Sequence, residues 1–272
     1  MADPASDIPR DTSLDLHAYL RRIGVAAPPP PTLDGLRALH EAHCASIVFE
    51  NLDLHLGKPI RVDLASVQAK LVAGGRGGYC YEQNTLLAAV LEALGFRILR
   101  LAARVRVNTT EVRPRTHMLL RVDLPGGPFL ADTGFGGDGT ILPVPIEPAG
   151  EVRLGATAHR VAREDDLFVL QVSHDGSPWT DLYAFNFEPQ IPADYEMANH
   201  FTSTFPRSPF LLNLTAQRAR RSRRAILRNR DLTIREAGQV TSSSVRDPDH
   251  LLDILATEFG LAFPPGTRFA KP

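Results

Sequence analysis

Cysteine is scarce. Cys44 and Cys80 are the only two, too few for a disulfide framework, so the chain reads as one from a reducing compartment. No apolar run reaches the ~18 residues that a membrane-spanning helix needs. Residues 1–15 carry several acids and no apolar segment of the secretory type, so a cytoplasmic protein is expected. An excess of one charge is also missing. Lys+Arg 30 against Asp+Glu 31 leaves a formal charge of -1, which argues against a dedicated nucleic-acid binder. No internal repeat is present. What is abundant is Pro (22) and Gly (20), which implies many turns and short elements. With 272 residues, 43% hydrophobic and 22% charged, the chain can bury a large core without covalent staples.

The N-terminal third has helical periodicity. Leu16, Tyr19, Leu20 and Ile23 share a stripe, with Ser13 or Thr12 as cap and Gly24 as stop. Thr32 opens a second helix through Leu33, Leu36, Leu39 and His43, and Asp63 a third through Leu64, Val67 and Leu71, ended by Gly74-Gly75. A fourth starts close to Cys80 and buries Leu87, Val90, Leu91 and Leu94. The middle then changes period. Ile98 to Val107 is a strand, and Met118, Leu120, Val122 and Leu124 alternate as strand residues do. Pro125-Gly126 has the order of a type II turn, and Phe129 to Ala131 returns. Further strands are expected at Leu167–Val172 and Leu182–Phe187, and a last helix at Asp249–Phe259.

The most specific local string is Arg76-Gly77-Gly78-Tyr79-Cys80-Tyr81-Glu82-Gln83-Asn84. It joins a glycine-rich loop to a helix start with a cysteine at the junction. A helix N-terminus carries partial positive charge, which favours a thiolate, and the glycines let the backbone turn and leave the sulfur approachable. The competing account is a cysteine packed as a small hydrophobe. A thiol nucleophile needs a base, and the base an orienting acceptor. His117 opens one strand and Asp132 sits on the return strand. If Pro125 and Gly126 are the turn, Asp132 faces Leu119, and His117 lies diagonally on the same face, about 7–8 Å away at the backbone. A turn one residue longer would put the two on opposite faces.

Taken together, these strings resemble the arylamine N-acetyltransferase family. The resemblance rests on Arg76 to Asn84, on Phe49-Glu50-Asn51-Leu52-Asp53, on Thr116-His117, and on Asp132-Thr133-Gly134-Phe135-Gly136, in that order. It is close over residues 15–137 and looser beyond. Thr133 departs from the hydrophobic or small residue of many relatives. The resemblance implies an α+β fold with a cysteine-protease-like catalytic core. A helical bundle (1–95) carries the nucleophile, a β-barrel-like domain (96–190) carries His and Asp, and an α/β lid (191–272) completes the chain. It also implies a Cys80–His117–Asp132 triad and ping-pong transfer of an acetyl group from acetyl-coenzyme A, through a Cys80 thioester, to arylamines, arylhydrazines or N-hydroxyarylamines. Thr116, Phe201 and Arg207 fall where relatives touch coenzyme A. Neither a metal, a nucleic acid nor a membrane is expected.

Other features have two readings. Glu50 and Arg76 are read as a buried pair that fixes the nucleophile loop, with Asn84 bonding the same loop; solvated charges are the alternative. Gly134, Gly136, Gly137 and Gly139 lack the residues of a P-loop, leaving a surface turn or a backbone approach to ligand. Phe135 and Phe210 suit an aromatic acceptor pocket or plain core. His40-Glu41-Ala42-His43-Cys44 has ligand-type residues but no second ligand pair, so a helix–helix contact is expected there. The arginines from Arg218 to Arg230 are read as a solvated face rather than a phosphate site. The rival functions are an amide synthase of the same family that releases a polyketide chain, a transglutaminase or thiol hydrolase, and a binding module that has lost activity.

Overall fold

A computed structural model describes residues 14–109, 111–148 and 150–270. Helix α1 (Leu16–Ile23) buries Tyr19, Leu20 and Ile23 and stops at Gly24, which takes φ 75. Its cap is Asp15, whose carboxylate accepts from Ala18 N–H. Ser13 and Thr12 lie outside the described residues. Helix α2 (Leu33–Ser46) is capped by Thr32 and buries Leu36, Leu39, His40, His43 and Cys44. Strand β1 (Phe49–Glu50) and helix α3 (Leu52–His55) follow. Helix α4 (Leu64–Gln68), capped by Asp63, runs into a π turn over Ala69–Ala73 that the periodicity does not announce. Helix α5 (Cys80–Ala93) begins on Cys80 itself and buries Leu86, Leu87, Val90 and Leu91, side chains each worth about 1.5–3 kcal/mol when removed from water.

The middle of the chain forms an eight-stranded, barrel-like antiparallel sheet. Its strands are β2 (Arg97–Val105), β3 (Arg115–Leu124), β4 (Gly127–Ala131), β5 (Val144–Pro145), β6 (Glu151–Leu154), β7 (Thr157–Glu164), β8 (Leu167–His174) and β9 (Thr180–Phe185). They lie in the order β5-β4-β3-β2-β9-β8-β7-β6. Leu101, Leu119, Leu130, Leu170 and Phe185 fill the inside. Leu124 pairs with Gly127, so Pro125 and Gly126 are the two turn residues, and Gly126 takes the positive φ (100) that the second position of a type II turn demands. Strands β5, β6 and β7 go beyond the sequence expectation.

The C-terminal part holds α6 (Pro192–Thr204), α7 (Pro209–Leu212), β10 (Thr215–Ala219), β11 (Arg223–Arg228), β12 (Asp231–Glu236), β13 (Gln239–Ser244) and α8 (Pro248–Phe259). Four of these strands form a sheet whose fifth member is β1, in the order β1-β10-β11-β12-β13. Phe49 pairs with Gln217, so the N-terminal Phe-Glu string is one edge of the C-terminal sheet. Leu214, Ala216, Leu227, Leu255 and Phe259 pack beneath it with Leu52. The arginine run is therefore not a uniform solvated face. It alternates as a strand does: Ala225 and Leu227 point inward and Arg228 outward, while Arg224 reaches across to the carbonyls of Gly137 and Gly139. No helix among the described residues is long and apolar enough to cross a membrane.

His159, buried on β7, donates its Nε2–H to the Asp138 carbonyl (2.7 Å). Burial lowers its pKa to about 4, against the pull of that bond and of Asp138. An imidazole neutral in the native state and protonated in the unfolded state stabilises the fold above pH ~6.5, and that contribution is lost as pH falls toward the native value. Urea denaturation should therefore show His159→Gln losing about 2 kcal/mol less than wild type between pH 7 and pH 5.

Candidate active site

Cys80 is the first residue of α5 and is 3% exposed. The loop before it is built by close approach rather than by unusual φ. At Gly77 an added Cβ would lie 2.0 Å from the Val48 carbonyl, and at Gly78 2.6 Å from the Glu82 carboxylate. Neither glycine has a positive φ, which corrects the reading that they serve to turn the backbone. Glu82 accepts Tyr79 N–H (3.0 Å) and pairs with Lys70 (2.7 Å). Burial nevertheless pushes its carboxyl up to about 7. Glu50 Oε1 accepts from Arg76 Nε (3.0 Å), Arg76 Nη2 (2.7 Å) and Gly77 N–H (3.3 Å), and the Glu50 side chain is fully buried. The pair does fasten the nucleophile loop.

Strand β3 brings Thr116 and His117 to the thiol. The Cys80 Sγ–H points at the Thr116 carbonyl, 3.8 Å away. His117 Nε2 donates to Asp132 Oδ2 (2.7 Å), which leaves Nδ1 for the sulfur. Burial works against an imidazolium here. The Asp132 carboxylate outweighs it, helped by the neighbouring Cys80, and raises the His117 pKa to about 10. The Asp132 carboxylate is saturated with donors. Oδ2 also accepts Tyr183 O–H (2.7 Å), and Oδ1 accepts Asn84 Nδ2–H and Gly134 N–H, each at 2.9 Å. Burial alone would raise its pKa, but His117, Asn84 and Tyr183 hold it below the ordinary carboxylate range. A carboxylate so committed can orient and charge-balance an imidazolium but has no lone pair free to take its proton.

Asn84 does not bond the nucleophile loop. One turn after Cys80 on α5 it faces the barrel, donating to the Met118 carbonyl (2.7 Å) and to Asp132 and accepting Thr133 N–H (3.1 Å). The Asp132 segment sits directly on Cys80: a Cβ on Gly134 would lie 2.7 Å from Cys80 Cα. The glycines that follow are a clamped turn, with Arg224 on two of their carbonyls and Gln217 Oε1 accepting Gly137 N–H.

Tyr183 is a member of this site that the sequence did not announce. It arrives because β9 pairs with β2, Tyr183 opposite Val105, a contact without a local signature. Phe135 packs edge-on to His117 (5.0 Å between ring centres) and against Tyr183 (4.9 Å). Phe210 packs instead on Tyr79 (5.3 Å). Phe201 and Arg207 are exposed, apart from the sulfur–imidazole contact: Phe201 stacks on Phe205 (4.7 Å) and the Arg207 guanidinium lies over Phe205 (5.4 Å). Helix α6, which carries Phe201, is tied to the residue before Cys80 by the bond from Tyr79 O–H to Asn199 Oδ1. His40 and His43 are spent on protein contacts, and no cluster of three metal-ligating side chains forms among the described residues.

A cysteine sulfur, an adjoining imidazole and a carboxylate that fixes the ring can together carry an acyl group. Comparison with known proteins agrees. A family model described as N-acetyltransferase matches residues 32–266. The arylamine N-acetyltransferase of Mycolicibacterium smegmatis is 38% identical over 256 residues, 92% of each chain. The arylamine N-acetyltransferase / N-hydroxyarylamine O-acetyltransferase of Salmonella typhimurium is 33% identical over 249 residues, 90% of this chain and 88% of the other. The structure of Mycobacterium marinum arylamine N-acetyltransferase in complex with CoA superposes with a TM-score of 0.84 at 36% identity, covering 90% of this chain and 92% of that one. With a shared fold and similarity along nearly the whole length, this chain belongs to the arylamine N-acetyltransferase family.

Proposed function

We propose that the protein transfers acetyl groups from acetyl-coenzyme A to arylamines, arylhydrazines or N-hydroxyarylamines by a ping-pong route through Cys80. The observation that carries this reading is the pairing of His117 with Asp132 beside the Cys80 sulfur at the start of α5. The arylamine and N-hydroxyarylamine acetyltransferase activities named for its relatives, and the CoA bound to the Mycobacterium marinum enzyme, support this reading.

In the first half-reaction the Cys80 sulfur attacks the thioester carbonyl, a C–S bond forms, and the coenzyme A sulfur leaves with the proton held on His117. Acylation removes the thiol whose contact helps His117 hold its proton, so the ring's proton affinity falls at that stage. The ring then accepts a proton from the attacking amine, the amide forms, and Cys80 leaves as the sulfur it began as. Thr116, Phe201 and Arg207 are proposed to contact coenzyme A, with the Phe201–Phe205 stack offering a face for a planar base and Arg207 a cation for phosphate. Phe135, against the catalytic ring, is proposed to meet the aromatic acceptor.

Intact-mass measurement tests the scheme. Incubation with acetyl-coenzyme A should add one acetyl group, mapped to the peptide carrying Cys80, and an arylamine should discharge it with formation of the N-acetyl product. Uptake only of a longer chain from a carrier thioester would move the donor assignment, and acetylation at another residue would overturn the nucleophile.

A further inference from the structure

Helix α2 holds two fully buried imidazoles that take no part in the chemistry above. His43 Nε2 donates to Gln83 Oε1 (2.6 Å), and Gln83 in turn donates to the carbonyls of Val48 and Gly78 in the nucleophile loop. His40 faces the other half of the site. Its Nε2 accepts the backbone N–H of Asp132 (2.9 Å), so the ring proton must sit on Nδ1, which is directed at the Ile141 carbonyl and lies 3.8 Å from Cys44 Sγ. One ring thus contacts both ends of the 132–141 segment, in which four of ten residues are glycine, and it is the partner of the amide that opens it.

We propose that His40 is a positioning residue for acyl transfer: by accepting the Asp132 amide from behind, it sets the rotation of the Asp132 backbone and hence the aim of its carboxylate at His117. The geometry supports this over simple filling of the core. The carboxylate has its own partners in His117, Tyr183, Asn84 and Gly134, but the Asp132 amide at the end of β4 has only His40 among the described contacts. The acceptor must remain unprotonated, because a proton on Nε2 would face the Asp132 N–H. The titratable groups around the ring are Asp132, Glu41, His43 and Cys44; burial is the largest influence and lowers the ring's pKa. A similar cavity-filling side chain without a lone pair at that point would pack but not aim.

The inference rests on the triad reading, and its test separates the two. His40→Gln keeps an acceptor oxygen near the place of Nε2, whereas His40→Asn is too short to reach the Asp132 amide. Both are to be compared with wild type by single-turnover release of coenzyme A from acetyl-coenzyme A and by nitrogen-15 NMR titration of His117. The expected result is a wild-type imidazolium persisting to about pH 10. In His40→Asn it should lose its proton at least one pH unit lower, with acetylation at least ten-fold slower, and His40→Gln should recover most of both. Equal rates and equal His117 titrations in all three proteins would overturn the role of His40. So would an Asn variant whose melting temperature falls while its His117 titration does not move. A wild-type protein that takes no acetyl group would instead overturn the triad reading and leave the NMR comparison to judge His40 on its own.

Discussion

Cys80→Ala is expected to gain no acetyl mass from acetyl-coenzyme A, and Asp132→Asn to gain it about a thousand- to ten-thousand-fold more slowly than wild type. Cys80→Ala removes the atom that carries the group. Asp132→Asn keeps the shape but breaks the donor count. The native carboxylate accepts four hydrogen bonds, two on each oxygen. An amide has one acceptor oxygen, so two of the four donors must face its NH2. On the Oδ1 side stand the Gly134 N–H and the Asn84 amide, and the Gly134 N–H cannot turn away. On the Oδ2 side the Tyr183 hydroxyl can rotate and the His117 ring can exchange tautomers. The amide nitrogen is thus driven toward His117, and the ring responds by moving its proton to Nδ1, where it can no longer accept one from the thiol. Loss of the negative charge also removes what holds the imidazolium to about pH 10. Single-turnover coenzyme A release, with circular dichroism to verify folding, measures the effect. An Asp132→Asn protein that acetylates within ten-fold of wild type would sink the orienting role of Asp132.

Much of this site is legible in the sequence because its key contact is local. Two residues of turn chemistry, Pro125-Gly126, fix the β3–β4 register, and a fixed register decides which face Asp132 shares with His117. The Glu50–Arg76 pair is legible for a different reason: both residues sit inside strings that already mark the loop. The rest is not local. Tyr183 reaches Asp132 only through the pairing of β9 with β2, and His40 only through the packing of α2 behind the barrel. Neither residue differs in sequence from an ordinary core tyrosine or a surface-helix histidine. The C-terminal sheet is obscured by composition. Strand β13, Gln239–Ser244, is exposed throughout with Val240 as its one apolar residue, and β11 places Arg224 and Arg228 on the face opposite Ala225 and Leu227. Hydrophobic period, the main strand signal, is therefore weak there. The structure also changes the reason for one legible feature. The loop glycines at 77 and 78 are needed because Val48 and Glu82 come too close for a side chain, and no sequence period encodes such an approach.

Arg76→Ala and Glu50→Ala are each expected to destabilise the fold by about 3–5 kcal/mol while leaving the chemistry of the surviving folded protein within a few-fold of wild type. Five charged side chains lie together beneath the nucleophile loop. Glu50 and Asp53 pair with Arg76, and Asp53 and Glu82 pair with Lys70. Three acids stand against two bases, and burial, with the nearby Glu50 adding to it, raises the Glu82 carboxyl to about 7. Arg76→Ala strands the Glu50 carboxylate, fully buried, with only the Leu52 and Gly77 amides as donors. It also removes the guanidinium from the Phe263 ring, 4.7 Å away, and so loosens the C-terminal segment from the loop. Glu50→Ala leaves a half-buried guanidinium with Asp53 as its remaining carboxylate partner (3.2 Å). Because breaking a buried pair costs more than replacing it, the double variant Glu50→Gln/Arg76→Met should recover a large part of the loss. Urea denaturation of the four proteins, alongside acetylation rates at a temperature where all are folded, reads both quantities. Single variants that melt like wild type but cannot be acetylated would show that the pair acts on the chemistry itself, and would overturn its assignment as the fastening of the nucleophile loop.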